Sequence, residues 1–190
     1  MSKNVSLFNP VLAKSRSKNA DRKTWQNLPG SSASVAIFHG ALSSKQPILL
    51  LTHDTPSALR LEQELASLNQ QAQLPICLFP DWETLPYDTF SPHQDIISQR
   101  LATLYQLSRM DKGIVIVPVS TLMQRLAPKQ YLEANSLIIK KGDKKDLHQL
   151  RQELEASGYR CVDQVMEHGE FSARGAILYI FPMGSKTPFR

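Results

Sequence analysis

The sequence predicts an α/β fold in two parts, a parallel sheet layer followed by a small α+β unit. Three observations predict it. From about residue 25 to 130, short apolar runs alternate with helix-spaced segments, the order expected when helices cover a parallel sheet. The run Gly113-Ile-Val-Ile-Val-Pro-Val119 is β-branched at most positions, as suits a central strand, with Pro118 confined to its end. Beyond residue 130 the pattern changes to short strand-like runs around a single helix.

The elements follow in order. Pro47-Ile-Leu-Leu-Leu51 is an apolar run of the kind buried in a parallel sheet. Thr55 is positioned to cap a helix whose first residue is Pro56; Ala58, Leu61, Leu65 and Leu68 recur on one face of it. Pro75-Ile-Cys-Leu-Phe79 reads as the next strand. A loop from Pro80 to Pro92 holds three prolines and Trp82, Tyr87 and Phe90. Ser91 then caps a helix from Pro92, with Ile97, Leu101, Leu104 and Leu107 on its apolar face. After the 113–119 strand, Ser120 or Thr121 caps a short helix through Leu126.

In the second part, Ser136-Leu-Ile-Ile139 reads as a strand and Gly142-Asp143 as a turn. Asp143 and Asp146 have capping-box spacing ahead of a helix with Leu147, Leu150 and Leu154 on one face. Ser157-Gly158 ends that helix. Tyr159 to Val165 and Ala176 to Phe181 then read as an antiparallel pair joined by the long polar turn 167–175. The chain stops at Pro188-Phe189-Arg190 without a polar tail, and so reads as a piece of something longer.

The 190 residues carry a formal charge of +5. All of it lies in residues 1–24, where Lys3, Lys14, Arg16, Lys18, Arg22 and Lys23 face a single Asp21; the rest carries sixteen basic and sixteen acidic residues. The basicity therefore belongs to a polar leader rather than to a folded nucleic-acid surface. Cys77 and Cys161 sit in apolar or strand-like runs and are expected to be buried and reduced. No apolar run is long enough to span a membrane, and the N-terminus lacks the apolar stretch of a signal peptide, so the expected location is the cytoplasm.

An ATPase of this architecture needs a phosphate loop: glycines for an amide nest, a lysine for the β and γ phosphates and a hydroxyl for magnesium. The nearest segment is Gly30-Ser31-Ser32-Ala33-Ser34, with one glycine and no lysine or arginine. It is expected to bind no nucleotide and to lead into a helix carrying Val35, Ile37 and Phe38. No histidine pair has the spacing of a helical metal site, and neither cysteine has a neighbouring thiol. No metal, cofactor or catalytic residue is expected. Glu167, His168 and Glu170 read as a polar hairpin loop. The aromatic loop either anchors to the core or offers a binding surface, since Trp and Tyr are frequent interface anchors. Arg174, beside a strand, and Arg190 are suited to paired contacts with a carboxylate or phosphate.

Five stretches carry a family resemblance. The stretch from Asp81 to Arg100, Val117-Pro-Val-Ser-Thr-Leu-Met-Gln-Arg125, Gly158 to Glu170, Arg174-Gly-Ala and Phe181-Pro-Met-Gly-Ser185 resemble the N-terminal region of the bacterial transcription-repair coupling factors, Mfd. The resemblance spans about residues 28–190. It leaves out the basic flexible leader over 1–24, which the charge count gives, and over 25–130 it implies the first portion of a degenerate UvrB-like, RecA-like sheet layer. Over 131–190 it implies an incomplete UvrA-binding-type α+β domain, truncated at its C-terminus. The family is a DNA translocase that recruits UvrA to stalled RNA polymerase. Its contacts with RNA polymerase, double-stranded DNA and ATP lie in domains absent from these residues. Ala33 stands where UvrB has its phosphate-loop lysine, and Ser32 where it has a glycine, so this segment is implied to be non-catalytic. Arg174 and Arg190 match residues of the UvrA contact, and Trp82, Tyr87 and Phe90 are assigned mainly to packing. Tyr179 stands where the family usually has Asp. The alternative reading is a direct DNA-binding module that uses the basic leader and the aromatic loop.

Overall fold

The computed structural model describes residues 24–85, 87–134, 139 and 142–190. In chain order the elements are α1 (Ser32–Ser43), β1 (Ile48–Thr52), α2 (Thr55–Leu68), β2 (Ile76–Leu78), α3 (Gln94–Leu107), β3 (Ile114–Pro118), α4 (Val119–Leu122), α5 (Lys129–Ala134), α6 (Leu147–Ala156), β4 (Arg160–Cys161), β5 (Glu170–Arg174) and β6 (Ile177–Phe181). The described residues form a mixed α/β architecture with two three-stranded sheets. No described helix is long and apolar enough to cross a membrane. The basic leader and the expected 136–138 strand lie outside the described residues; Ile139 is in no strand.

The described chain forms two compact units, one of residues 24–79 and 110–123, the other of 80–109 and 124–190. In the first, the sheet runs in the order β1-β3-β2 with every pair parallel, and Ile114 sits level with both Ile48 and Ile76. β3 is central and buried at every position, as its β-branched sequence predicts. Side chains alternate across a strand, so Ile48, Leu50, Ile76, Leu78, Ile114 and Ile116 share one face. There they pack with Phe38 and Ala41 of α1 and Ala58 and Leu65 of α2. Leu49 and Leu51 take the opposite face and stay 57% and 49% exposed.

Helix starts differ from expectation in a consistent way. At α2 the cap is Asp54, whose carboxylate accepts the Ser57 N–H at 2.8 Å; Thr55 is already helical and Pro56 lies in the first turn. A carboxylate reaches the free amides of a first turn as well as a hydroxyl does and adds charge favoured by the helix dipole. At α3 the cap is His93, whose Nδ1 accepts the Asp95 N–H at 3.3 Å, so neither Ser91 nor Pro92 begins the helix. α4 follows Pro118 directly and has no side-chain cap. At α6 Asp146, not Asp143, is the cap and accepts from the Gln149 N–H at 3.1 Å. Gly158 ends α6 at φ +86°, as its expected role requires.

The larger correction concerns the second sheet. The expected long hairpin does not form. Residues Glu170–Arg174, read as part of a polar turn, are the central strand β5, antiparallel to β6 across the tight Gly175-Ala176 turn. β4 is only two residues long and pairs parallel with β5. The two cysteines also differ from expectation. Cys77 is buried on β2, and burial, then Glu62, raises its thiol pKa. Cys161, on the edge strand β4, is exposed.

Candidate docking face

β5 reads Glu-Phe-Ser-Ala-Arg, and alternation sorts these residues onto two faces. Phe171 turns to the side covered by α6, where it is fully buried with Leu150 and Leu154 and packs near Tyr159, Leu178 and Ile180. Glu170, Ser172 and Arg174 turn to the other side. The β5–β6 register places Ser172 opposite Tyr179 and Glu170 opposite Phe181. An antiparallel bridge between Ile180 and Phe189 extends the sheet beyond β6 and sets Arg190 beside Tyr179. The strands thus bring Arg174, Tyr179 and Arg190 to one face, although 15 residues separate the two arginines.

Each arginine is steered by a neighbour. The Arg174 guanidinium is exposed and donates to the backbone carbonyl of Asp163 at 2.6 Å. Arg190 carries its guanidinium 5.8 Å from the centroid of the Tyr179 ring, within cation–π range.

The β4–β5 connection folds over this face and is anchored by Glu170. That carboxylate accepts from the Met166 and Glu167 amides, both at 2.9 Å, and from Arg160 at 3.1 Å. Burial alone raises the Glu170 pKa, but the two amides and Arg160 outweigh it and the net shift is downward. His168 closes the near end of the face. Its ring stacks on Phe181 with centroids 3.9 Å apart; Nδ1 lies 2.7 Å from Asp95 of α3 and Nε2 2.8 Å from the Ser185 carbonyl. Ser98 of α3 accepts the Gly184 N–H at 2.8 Å. Sequence reasoning passed over Glu170 and His168 as parts of a polar loop. The signal that finds Glu170 is the polar–apolar alternation of β5 itself.

The Gly30–Ser34 segment has a different geometry from a phosphate loop. Residues 24–29 form no strand leading into it, and α1 begins at Ser32, inside the segment. Ser31 makes no side-chain cap, and the Ser32 hydroxyl donates to the Pro29 carbonyl at 2.6 Å. Ser34 is fully buried and its hydroxyl donates to the Glu64 carboxylate. The Ser34 hydroxyl is thus engaged with the Glu64 carboxylate. Ala33 is half-buried in the first turn of the helix.

The aromatic loop departs from its assigned packing role. Trp82 is half-buried with the Arg100 guanidinium 4.0 Å from its ring centroid, and Arg100 also donates to the Pro80 carbonyl at 2.5 Å. Tyr87 and Phe90 are exposed and anchor nothing. Packing therefore falls to Trp82 alone of the three.

Comparison with known proteins bears directly on this face. The family described as UvrB interaction domain matches residues 137–190, which contain all of β4, β5 and β6. Over 163 residues, 86% of the chain, it is 55% identical to the transcription-repair-coupling factor of Haemophilus influenzae. The chain matches the N-terminal region of the bacterial transcription-repair-coupling factors. The factor of Escherichia coli is 46% identical over 91% of the chain, and that of Bacillus subtilis 30% over 86%. The chain spans 14–15% of the length of these relatives.

Proposed function

We propose that this chain is the UvrA-docking region of a transcription-repair coupling protein and works by recognition, without catalysis. The observation that carries the reading is the convergence of Arg174 and Arg190, with Tyr179 between them, on one face of the sheet within the span similar to the UvrB interaction domain. Guanidinium groups held at fixed points on a sheet suit paired contacts with carboxylates of a partner. The Asp163 carbonyl occupies one edge of the Arg174 fork and leaves the others for a partner.

On this reading, residues 25–130 are the first portion of a UvrB-like, RecA-like layer that has lost its phosphate chemistry. Residues from 131 onward are the UvrA-binding-type domain. The half-exposed Leu49 and Leu51 support the first assignment, because all-parallel sheets are normally covered on both faces. Translocation on double-stranded DNA, ATP hydrolysis and contact with RNA polymerase would belong to regions outside these residues, in a cytoplasmic protein.

The test is calorimetric titration of the chain with UvrA. Arg174→Ala and Arg190→Ala are each expected to weaken binding by about tenfold or more, which is about 1.4 kcal/mol. Unchanged affinity in both variants removes the assignment.

A further inference from the structure

The loop between β2 and α3 exposes three large apolar side chains, Leu85, Tyr87 and Phe90. Leu85 is 79% exposed, Tyr87 104% and Phe90 77%. The turn is closed by the Asp88 N–H donating to the Leu85 carbonyl at 3.1 Å. Tyr87 sits in it at φ +70°, a left-handed conformation that a bulky residue rarely adopts and that Gly or Asn adopts readily. A ring so fully exposed adds little to the packing of the body. Strain of this kind is characteristic of ligand clamps and other binding segments.

Charge decides what such a tip receives. From Pro80 to Gln99 the chain holds Asp81, Glu83, Asp88 and Asp95 and not one lysine or arginine. Phosphates of a nucleic acid stacked on the two rings would meet carboxylates on either side of them, whereas nucleic-acid surfaces place cations there. A protein segment carrying both arginine or lysine and apolar side chains is complementary on both counts.

We propose that Leu85, Tyr87 and Phe90 form a docking surface for a basic, apolar protein segment, with Glu83 and Asp88 receiving its cations. It is separate from the Arg174–Arg190 face and does not depend on it.

The experiment titrates the intact chain into a fluorescein-labelled, acetylated peptide of four Leu-Arg repeats and follows anisotropy. A (Leu-Glu)4 peptide and a single-stranded oligothymidylate serve as the other arms. Saturable binding of the Leu-Arg peptide is expected, weakened about tenfold by Tyr87→Asn and by Phe90→Ala, the loss typical of an interface anchor. Tyr87→Phe is expected to retain it, and Arg174→Ala to leave it unchanged. Thermal midpoints of Tyr87→Asn and Phe90→Ala are expected to be no lower than that of the parent, because neither ring packs on the body. Any of four results overturns the proposal: no binding of the Leu-Arg peptide, equal binding of (Leu-Glu)4, tighter binding of the oligothymidylate, or a drop of several degrees in both midpoints.

Discussion

Arg190 lies beside Tyr179 of β6, next to the isolated Ile180–Phe189 bridge, with its guanidinium 5.8 Å from the ring centroid. The pair places a flexible cation at a fixed point on the sheet. Exposed cation–π contacts contribute about 0.5–1 kcal/mol. Tyr179→Ala is therefore expected to weaken UvrA binding two- to fivefold and Tyr179→Phe hardly at all. A double-mutant cycle with Arg190→Ala is expected to recover a coupling of about that size. Additive effects would mean that the ring does not steer the guanidinium.

Phe171 is the buried centre of the second unit, fixed between α6 and the sheet. Phe171→Ala is expected to cost about 3–5 kcal/mol, measured by urea unfolding. Because Arg174 lies on the same strand, the loss of UvrA binding in this variant should follow the unfolded fraction.

Glu170 gives the second unit a defined response to acid. Its carboxyl has a lower pKa folded than unfolded, since the Met166 and Glu167 amides and Arg160 outweigh burial. A lowered carboxyl pKa contributes stability that is fully present above the unfolded value, about 4.3, and is lost as pH falls through the folded value. Stability is expected to fall as the pH is lowered below that unfolded value, and the fall should be shallower in Glu170→Gln. Identical profiles for the two proteins would show that the carboxylate is not the linked group.

Gly113 tests the first unit. A Cβ there would meet the Pro75 carbonyl oxygen at 2.6 Å and the Met110 sulfur at 2.7 Å. The methionine can move, but the carbonyl accepts the Ile114 N–H at 2.9 Å in the β2–β3 ladder and cannot. Gly113→Ala is expected to destabilise by about 1–3 kcal/mol, the usual cost of overpacking, read as a lowered thermal midpoint.

How much of this was legible in the sequence depended on how one-sided each signal was. β3 was plain because five successive buried positions demand an unbroken apolar run. Helix α6 was plain because Leu147, Leu150 and Leu154 repeat at helical spacing. β5 was missed because only one of its five residues, Phe171, is large and apolar; charged residues at both ends disguised a strand that is polar on one side by design of its two environments. The caps were misplaced by a residue or more because Thr55, Ser91 and Asp143 have capping chemistry too, and only the backbone direction chooses among neighbours. Arg174 and Arg190 could be named from the resemblance, but their meeting on one face rests on a bridge at Phe189 that no local pattern announces. The exposure of Tyr87 and Phe90 ran against composition, which treats aromatics as core.

The strand β5 also sets what kinds of sequence change this region tolerates. Neighbouring residues belong to opposite faces, so inserting or deleting one residue between Glu170 and Arg174 turns over the part of the strand on one side of the change, and either Glu170 or Arg174 would face the hydrophobic interior. Substitutions on the polar side can accumulate one at a time, while changes of length there are lost together. Divergence in this segment should therefore proceed by replacement at constant spacing, and a partner surface that coevolves with it needs to track side-chain identity alone.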